Sequence, residues 1–363
     1  MKFIQGLKRL DWIIIGAVFF LTILGLAIQY SLSLNQELIN FSNFYKQLVF
    51  ASIGFILMLL VSFLNWNFLK NSAIFLYILM TFLLALVLFF GQTLRGTQGW
   101  IVLPFGFSFQ IAELAKIILV IILAKYWSSN ICNIQNIKHV ILTGIIAVIP
   151  FGLVFLQPDL GSALILFGLW LGMIFIVSSP KNFIIILIIF FLIFGVGWFQ
   201  LKDYQKDRIN VFLNPQADPL GRGYQVTQSI IAVGSGQFLG RGLGLGPQSQ
   251  LKFLPEARTD FVFAAIAEEL GMIGSFLIFG LFGVLFFRLW NMIKKIKDDF
   301  NAFLILGFSA LFFIEIFVNI GMNIGIAPIT GISLPFLSYG GSSLVTNLFI
   351  IGIIQSIIRR TDK

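Results

Sequence analysis

The sequence predicts an all-α integral membrane protein with about ten transmembrane helices and one long extracytoplasmic loop between the seventh and eighth. Of its 363 residues, 58% are hydrophobic and only 11% are charged, under half the charge of a typical soluble domain. Apolar runs such as Phe183–Phe199 contain no charge and reach the roughly 17 residues that a minimal membrane span needs. We therefore expect residues 1–363 to form a single polytopic membrane domain.

The individual spans follow from apolar segments separated by polar or proline-containing turns. The first segment follows a basic N-terminus without an A-x-A cleavage pattern, so we interpret it as a retained helix and not as a signal peptide. A turn at Gln157-Pro158-Asp159 separates the fifth segment from the sixth. The predicted spans lie near residues 12–32, 46–64, 73–90, 111–126, 139–156, 160–178, 182–200, 263–287, 302–325 and 341–358.

The basic residues predict the orientation of these spans. Ten spans place both termini on one side, and a cytoplasmic N-terminus leaves only Lys46 and Arg95 in the short external loops. Both termini are therefore predicted to face the cytoplasm, and residues 201–262 to form the extracytoplasmic loop. This arrangement accounts for the net charge of +9 without nucleic acid, which would need a basic face on a soluble domain.

Composition also excludes several kinds of site. One cysteine, Cys132, and one histidine, His139, rule out intrachain disulfides and multi-Cys or His-rich metal sites, so carboxylates would have to hold any metal. The sequence contains neither a P-loop nor a G-x-G-x-x-G motif, and nucleotide binding is not supported.

Charged residues inside the spans need a partner or a function, because each costs about 2.5–3.5 kcal/mol on insertion scales. Glu113 and Lys116 lie three residues apart on one helical face and can pair. Asp159 begins a helix, and two interpretations are open: an N-cap, or a buried cluster in which Asp159 and Glu113 both meet Lys116.

Two further polar groups lie in the later spans. Glu315, Asn319 and Asn323 follow the i, i+4, i+8 pattern and must point into protein, where interhelical hydrogen bonding is the simplest role. Glu268 and Glu269 are adjacent, so they cannot both face the same way, and one of them can reach the headgroup region.

The long loop carries the candidate binding groups. Six glycines between Gly234 and Gly246 predict tight turns, and the alternatives are an anion cradle beside Arg241 or a flexible loop. Asp260 stands directly before an apolar helix, where it is either a helix cap or a general base at the membrane surface. The candidate cations of the loop are Arg208, Arg222, Arg241 and Lys252.

Four stretches together resemble the SEDS family, the shape, elongation, division and sporulation proteins, and the resemblance covers nearly the whole chain. They are RINVFLNPQADPLGRGYQVTQS beginning at Arg208, PQSQLKFLPEARTDFVFAAIAEELG from Pro247, QPDLG from Gln157, and NIGMNIGIAPITGISLPFLSYGGSS from Asn319. Gln157 and the PQSQLKFLPE wording look more like the RodA branch than the FtsW branch.

The resemblance implies a peptidoglycan glycosyltransferase that polymerises lipid II on the outer face of the bacterial cytoplasmic membrane. It implies that Asp260 is the essential acid, and that the other functionally sensitive positions are Trp100, Glu113, Lys116, Asp159 and Arg208. Two positions depart from the family pattern: Ile111-Ala112 replaces a usual Pro-Ser pair, and Arg258 replaces a usual histidine.

The resemblance also implies partners and an inverting mechanism. The expected reaction releases undecaprenyl pyrophosphate, and a divalent cation (Mg²⁺ or Mn²⁺) is an open alternative to the loop cations. A class B penicillin-binding protein, a single-span transpeptidase, is the expected partner, and it would contact the eighth and ninth spans through Phe276, Phe279, Phe312 and Phe313. The rival functions are a lipid II flippase, for which the sequence shows no internal repeat, and an inert scaffold for the transpeptidase.

Overall fold

The computed structural model describes residues 7–34, 41–66, 68–94, 96–103, 107–131, 136–197, 206, 210–215, 218 and 221–361. Ten helices of at least 18 residues dominate these ranges, and each coincides with a predicted span, which confirms the helical fold class. They are α1 (Trp12–Leu34), α2 (Ser42–Phe63), α3 (Phe68–Phe90), α4 (Ile111–Ser129), α5 (Ile137–Leu156), α6 (Leu160–Val177), α7 (Pro180–Gly197), α10 (Val262–Ile293), α11 (Asp299–Asn323) and α12 (Gly341–Thr361). Two shorter helices, α8 (Arg222–Ser235) and α9 (Pro247–Gln250), lie in the predicted long loop.

The helices identify a multi-span membrane protein. Eight of them are long and apolar enough to cross a bilayer, and the other two are α4 and α7. Helix α4 contains Glu113, Lys116 and Lys125, which make it more polar than the rest. The count of ten spans therefore stays a prediction.

A small antiparallel sheet, which the all-α prediction missed, connects α3 to α4. Its strands β1 (Gln92–Leu94), β2 (Thr97–Leu103) and β3 (Phe107–Gln110) pair in the order β1-β2-β3. The N–H of Gln98 donates to the carbonyl of Gln157 at 3.1 Å, so the sheet is held against the turn before α6. Strands β1 and β3 are too short to give a clear alternating pattern, and the TQGWIVL sequence of β2 does not alternate apolar with polar residues.

Packing brings helix ends from distant parts of the chain together. Helix α12 packs against α2, α1 against α10, and α11 against α4 and α6. At one end of the bundle Arg288, near the end of α10, pairs with the buried Asp11 at 2.6 Å, and Gln355 of α12 accepts a hydrogen bond from the N–H of Asp11. The starts of α4, α6, α10 and α12 meet at the other end.

Helix α10 is broken at Gly271, whose φ of 65° and ψ of −156° are not helical. The backbone of the glycine-rich segment, residues 236–246, replaces the hydrogen bonds that the helix loses there. The four replacement bonds are Arg241 N to Glu268 O (2.9 Å), Gly242 N to Glu269 O (2.9 Å), Met272 N to Gln237 O (3.0 Å) and Ile273 N to Phe238 O (3.3 Å).

The side chain of Glu268 binds the same part of the chain. It is fully buried, and its two oxygens accept the N–H groups of Gln248 and Ser249 at 2.7 and 3.0 Å, which fixes the start of α9. A carboxylate at a helix start satisfies free backbone donors there.

Glu269 is also fully buried, so the expectation that one of the two acids reaches the headgroups is wrong. Its oxygens accept hydrogen bonds from the hydroxyl of Ser31 at 2.6 Å, the amide of Gln250 at 2.7 Å and the N–H of Gly244. The glycine-rich segment is thus neither a flexible loop nor a cradle for an external anion. Its donors bind the carboxylates and carbonyls of α10.

Candidate active site

A polar cavity of about 410 Å³ lies where the N-terminal ends of α4, α6, α10 and α12 converge. The sheet, α8 and the segment between α11 and α12 complete its walls. Its lining includes Trp100, Gln110, Glu113, Lys116, Asp159, Gln225, Glu256, Asp260, Thr330, Ser333, Tyr339, Ser342 and Ser343. Four helix N-termini direct partial positive charge toward this space, which favours anionic groups within it.

Asp260 reaches the cavity from the loop before α10. The N-cap position of α10 is occupied by Phe261, so Asp260 is not the capping residue that one interpretation predicted. Its carboxylate lies beside Gly331, with Oδ2 3.6 Å from the place that a Cβ on this glycine would take. The φ of Gly331 is +77°, which favours glycine, and the chain can therefore turn close to the acid.

The peptide carbonyl of Asp260 is held by the polar stripe of α11. Asn319 and Asn323 each donate their side-chain amide to it at 3.0 Å. Asn319 also donates to the carbonyl of Ile332 at 2.7 Å, and Asn323 accepts the N–H of Ala264 at 2.9 Å. Both asparagines are fully buried, which confirms that the stripe points into the protein.

The two residues before Asp260 are fixed in the same way by other parts of the chain. The carbonyl of Arg258 accepts the amide of Gln29 at 2.9 Å and the N–H of Tyr339 at 2.8 Å. The carbonyl of Thr259 accepts the hydroxyl of Ser338 at 2.6 Å. Three successive carbonyls, 258 to 260, are therefore bound by α1, α11 and the segment before α12.

Lys116 forms the centre of a buried charge cluster, with one of its two predicted partners. Its ammonium lies 2.9 Å from Glu113 and 2.5 Å from Glu315. Glu113 is confirmed as a partner, whereas Glu315, 199 residues away in sequence, replaces Asp159. Glu113 and Lys116 line the cavity, and Glu315 stands behind them on α11.

Asp159 is the N-cap of α6, as the simpler interpretation predicted. Its Oδ1 accepts the N–H of Ser162 at 3.0 Å, and its Oδ2 accepts the amide of Gln110 at 2.6 Å. The prediction that Asp159 clusters with Lys116 is wrong, because the capping bond holds the Asp159 carboxylate at the start of α6. Both residues nevertheless line the same cavity.

Trp100 lies in the wall that the sheet provides. It stands opposite Gln110 in the β2–β3 register, and its indole N–H donates to the hydroxyl of Thr97 at 2.9 Å. The ring therefore has a fixed orientation at the cavity edge.

The structure brings only some of the predicted cations to the site. Arg208 lies outside the described residues, and Arg222 begins α8, the helix whose Gln225 lines the cavity. Arg241 is exposed on the glycine-rich segment, away from the cavity lining. Lys252 is exposed and lines a second cavity, of about 620 Å³, that adjoins the first.

The two cavities differ in charge. The first has the carboxylates of Glu113, Asp159, Glu256 and Asp260 but, in the part of the chain that the structure describes, only the cation Lys116. The second is lined by Lys252 and Arg258 against Glu256. Thr259 and Tyr339 also belong to both linings.

Arg258, which replaces the usual histidine of the family, lines the second cavity and not the first. Its guanidinium donates to the carbonyl of Leu32 at 2.7 Å, at the end of α1. Partial burial lowers the pKa of Arg258 from its ordinary value, and a nearby Tyr339 opposes that shift.

Sequence reasoning missed several lining groups, among them Gln110, Gln225, Glu256 and Tyr339. The segment ISLPFLSYGGSS, part of one stretch that resembles the SEDS family, supplies Ser333, Tyr339, Ser342 and Ser343. Its density of serine and glycine beside a span was the available signal, since polar residues at a membrane boundary need protein or water partners.

The fold and site together define a polytopic membrane protein with a polar cavity at one end of its helix bundle. A family model described as "Cell cycle protein", of the FtsW, RodA and SpoVE type, matches residues 11–363. The chain belongs to this SEDS family.

Known proteins agree with this assignment. A probable peptidoglycan glycosyltransferase FtsW of Trichlorobacter lovleyi is 36% identical and is matched over 97% of this chain and 93% of its own. Peptidoglycan glycosyltransferase RodA of Treponema pallidum is 30% identical, and the match covers 98% of this chain and 99% of its own. Because both names occur among the relatives, closeness to the RodA branch stays a prediction.

A solved structure also superposes on nearly the whole chain. It is described as structural coordination of polymerization and crosslinking by a peptidoglycan synthase complex. The match has a TM-score of 0.80 and 31% identity, and covers 97% of this chain and 98% of the other.

Proposed function

We propose that this protein is a peptidoglycan glycosyltransferase that polymerises lipid II into glycan strands, with Asp260 as its general base. The observation that carries the assignment of the base is the position of Asp260, whose backbone is fixed and whose carboxylate lies beside Gly331 in the lining of a polar cavity. Three successive carbonyls of its loop are bound by distant segments, so the acid is positioned before any substrate arrives. The relatives' names support the reaction class.

The chemistry requires one displacement. Asp260 takes the proton of the 4-hydroxyl of the acceptor GlcNAc as that oxygen attacks the anomeric carbon of the growing strand. The bond to undecaprenyl pyrophosphate breaks, and the electron pair leaves with the pyrophosphate. An α-linked donor and a β-linked product are related by a single inversion, so no second nucleophilic carboxylate is needed.

The two adjoining cavities suit two parts of the reactants that differ in charge, the sugar and the pyrophosphate. Sugar hydroxyls are neutral and fit the acidic first cavity, where Asp260 lies. The pyrophosphate of the donor is anionic and fits the second cavity beside Lys252, with Arg208 and Arg222 as further candidate cations. Within the first cavity, Lys116, Glu113, Asp159 and Trp100 hold the acceptor sugar and its peptide.

A divalent cation is the proposed alternative to the loop cations for binding the pyrophosphate. The described residues contain no group of three acidic, histidine or cysteine side chains arranged to hold a metal. Mg²⁺ is commonly bound by one or two carboxylates and substrate phosphates. Such an ion would therefore arrive with the pyrophosphate, and no step above depends on it.

The decisive experiment replaces Asp260 with Asn. Purified wild-type and Asp260→Asn proteins are incubated with labelled lipid II in detergent, and polymer is separated on a gel. Loss of the base should lower turnover by roughly 10²-fold or more, because general-base catalysis typically contributes 10²–10⁴-fold. Melting temperature should change little, since the carbonyl bonds of residue 260 do not use its side chain.

The matched control is Asp298→Asn, the same exchange at a true N-cap. Asp298 accepts the N–H of Asn301 at the start of α11, at the opposite end of the bundle. Its variant should keep wild-type activity, because Asn caps helices about as well as Asp. Near wild-type polymerisation by a folded Asp260→Asn protein would refute the base assignment and return the flippase and scaffold functions to consideration.

We further propose the bacterial cytoplasmic membrane as the location, with both termini in the cytoplasm. Leu213→Cys and Lys297→Cys, each in a Cys132→Ser background, should differ toward an impermeant thiol reagent. Leu213 is exposed in the predicted external loop, and Lys297 is exposed beyond the end of α10. Labelling of Lys297→Cys in intact cells, with Leu213→Cys reacting only after lysis, would reverse the orientation.

A class B penicillin-binding protein is the proposed partner. Phe276, Phe279 and Phe313 are 64%, 48% and 59% exposed on α10 and α11, as a contact surface requires. Phe312, predicted to belong to this surface, is fully buried against Phe336 and must be left out.

Charge placed on this surface should disrupt the complex. Phe276→Glu or Phe313→Glu should reduce co-purification of the transpeptidase at least tenfold, because a desolvated charge is costly in a membrane interface. Phe82→Glu, at a 61% exposed position of α3, is the control and should leave co-purification intact. Equal effects of all three variants would remove the surface from consideration.

A further inference from the structure

A third cavity, bordered by basic side chains, lies at the end of the bundle opposite to Asp260. It measures about 360 Å³ and is enclosed by the residues after α10, the start of α11 and the end of α12. Helix α10 separates it from Asp260 by 32 residues, roughly 48 Å of helix at 1.5 Å per residue. It is therefore a site distinct from the candidate active site.

The lining of this cavity is basic. Lys295, Lys297 and Arg360 border it, and among the residues that the structure describes Asp298 is the only lining acid. The carboxylate of Asp298 accepts the N–H of Asn301 as the N-cap of α11. In the part of the chain that the structure describes, none of the three cations lies within 4 Å of a carboxylate oxygen in an ion pair.

Neighbouring cations are arranged differently. The ammonium of Lys294 lies 5.1 Å from the centre of the Trp290 ring, outside the cavity. Arg359 donates to the carbonyl of Phe63 at 2.9 Å and stacks on the ring of the same residue. These two have partners within the protein, whereas Lys295, Lys297 and Arg360 surround open space.

The position of the cavity points to a ligand in the headgroup layer. Helices α10, α11 and α12 are long and apolar enough to span a bilayer, and the cavity lies at their ends. Trp66 forms part of its wall, and tryptophan is enriched at the membrane–water boundary. Basic pockets between spans at this level bind anionic lipid headgroups.

The charge selects among lipid headgroups. Three cations against one capped acid favour a phosphodiester with no positive charge of its own, such as that of phosphatidylglycerol. The trimethylammonium of phosphatidylcholine would be repelled. We propose that this cavity, defined by Lys295, Lys297 and Arg360, binds the phosphodiester headgroup of an anionic phospholipid. The proposal does not depend on glycosyl transfer.

Native mass spectrometry of the detergent-purified full chain tests the proposal. The protein is mixed with phosphatidylglycerol, phosphatidylcholine or inorganic phosphate, and retained ligand is counted. We expect phosphatidylglycerol to be retained at least tenfold better than phosphatidylcholine, with inorganic phosphate at the same concentration unable to displace it. No preference between the lipids, or full displacement by inorganic phosphate, would overturn the lipid assignment.

A matched pair of variants locates the site. Lys297→Gln combined with Arg360→Gln should weaken phosphatidylglycerol retention roughly thirty-fold. Each cation near a membrane surface contributes about fivefold in affinity, and the double variant loses two of them. Lys294→Gln removes the same kind of charge one residue outside the cavity and should keep retention within about twofold. An equal loss in both proteins, at unchanged melting temperature, would mean a diffuse positive surface and would refute the site.

Discussion

Two buried acidic groups of the bundle show the same residue type in opposite settings. Glu113 and Glu315 surround the ammonium of Lys116 beside the open cavity. Among the described residues no cation pairs with Glu268 or Glu269, and N–H, hydroxyl and amide donors around the glycine-rich segment bind them instead. The first group keeps its charges next to space where substrate can enter. The second uses its charges to bind the chain around the glycine-rich segment to the broken helix α10.

The difference shows how a membrane bundle tolerates buried carboxylates in two ways. An ion pair compensates charge with charge and leaves hydrogen-bonding capacity unused: the Oε2 atom of Glu315 is buried with no hydrogen-bond partner in the part of the chain that the structure describes. A network of neutral donors satisfies the oxygens fully. The cluster around Lys116 is thus suited to respond to a ligand, and the cluster at Glu268 and Glu269 to resist change.

The largest effect should come from Lys116→Ala, which leaves two carboxylates buried without their cation. Breaking a buried ion pair by removal of one partner typically costs 3–5 kcal/mol. We expect a comparable loss in the free energy of unfolding, measured by thermal unfolding in detergent. Lys125→Ala, on the same helix and half-buried, is the control and should cost less than about 1 kcal/mol.

Adding Glu113→Gln and Glu315→Gln to Lys116→Ala should restore part of the lost stability, because no unpaired charge then remains. Normal stability with lost polymerisation in Lys116→Ala would contradict the structural role. The ammonium would then keep only its proposed role in holding the acceptor.

A smaller effect should follow from Gly236→Ala, at the start of the glycine-rich segment that binds α10. A Cβ at Gly236 would overlap the carbonyl oxygen of Ala267, so the backbone of the glycine-rich segment must move. Overpacking of this kind typically costs about 1–3 kcal/mol. Limited proteolysis should cut residues 236–250 faster than in the wild type.

Gly234→Ala is the matched control two residues earlier, where a Cβ meets nothing within 4 Å. This variant should be neutral or more stable by up to about 1 kcal/mol, because alanine is the better helix former. If the two alanine variants behaved alike, the segment would not be fixed to α10, and the contrast between the two acidic groups would fail.

The sequence predicted the long helices well, because each is an apolar run that local composition reveals. It identified Glu113, Lys116, Asp159, Asp260 and the stripe of α11 as polar groups that need an explanation. It could not assign Glu315 to Lys116, because the two are 199 residues apart and nothing local specifies which helices pack together. The break at Gly271 was hidden for a related reason: its replacement hydrogen bonds come from a glycine run that by itself is equally compatible with a flexible loop.

The bound carbonyls of residues 258 to 260 also bear on what substrate binding must accomplish. Fixing the backbone of a residue costs about 1–2 kcal/mol of conformational entropy. Here that cost is met when the chain folds, since α1, α11 and the segment before α12 already restrain the loop that carries Asp260. Affinity for the polymer and its acceptor is consequently not spent on ordering the base, and it remains available to align two flexible lipid-linked sugars.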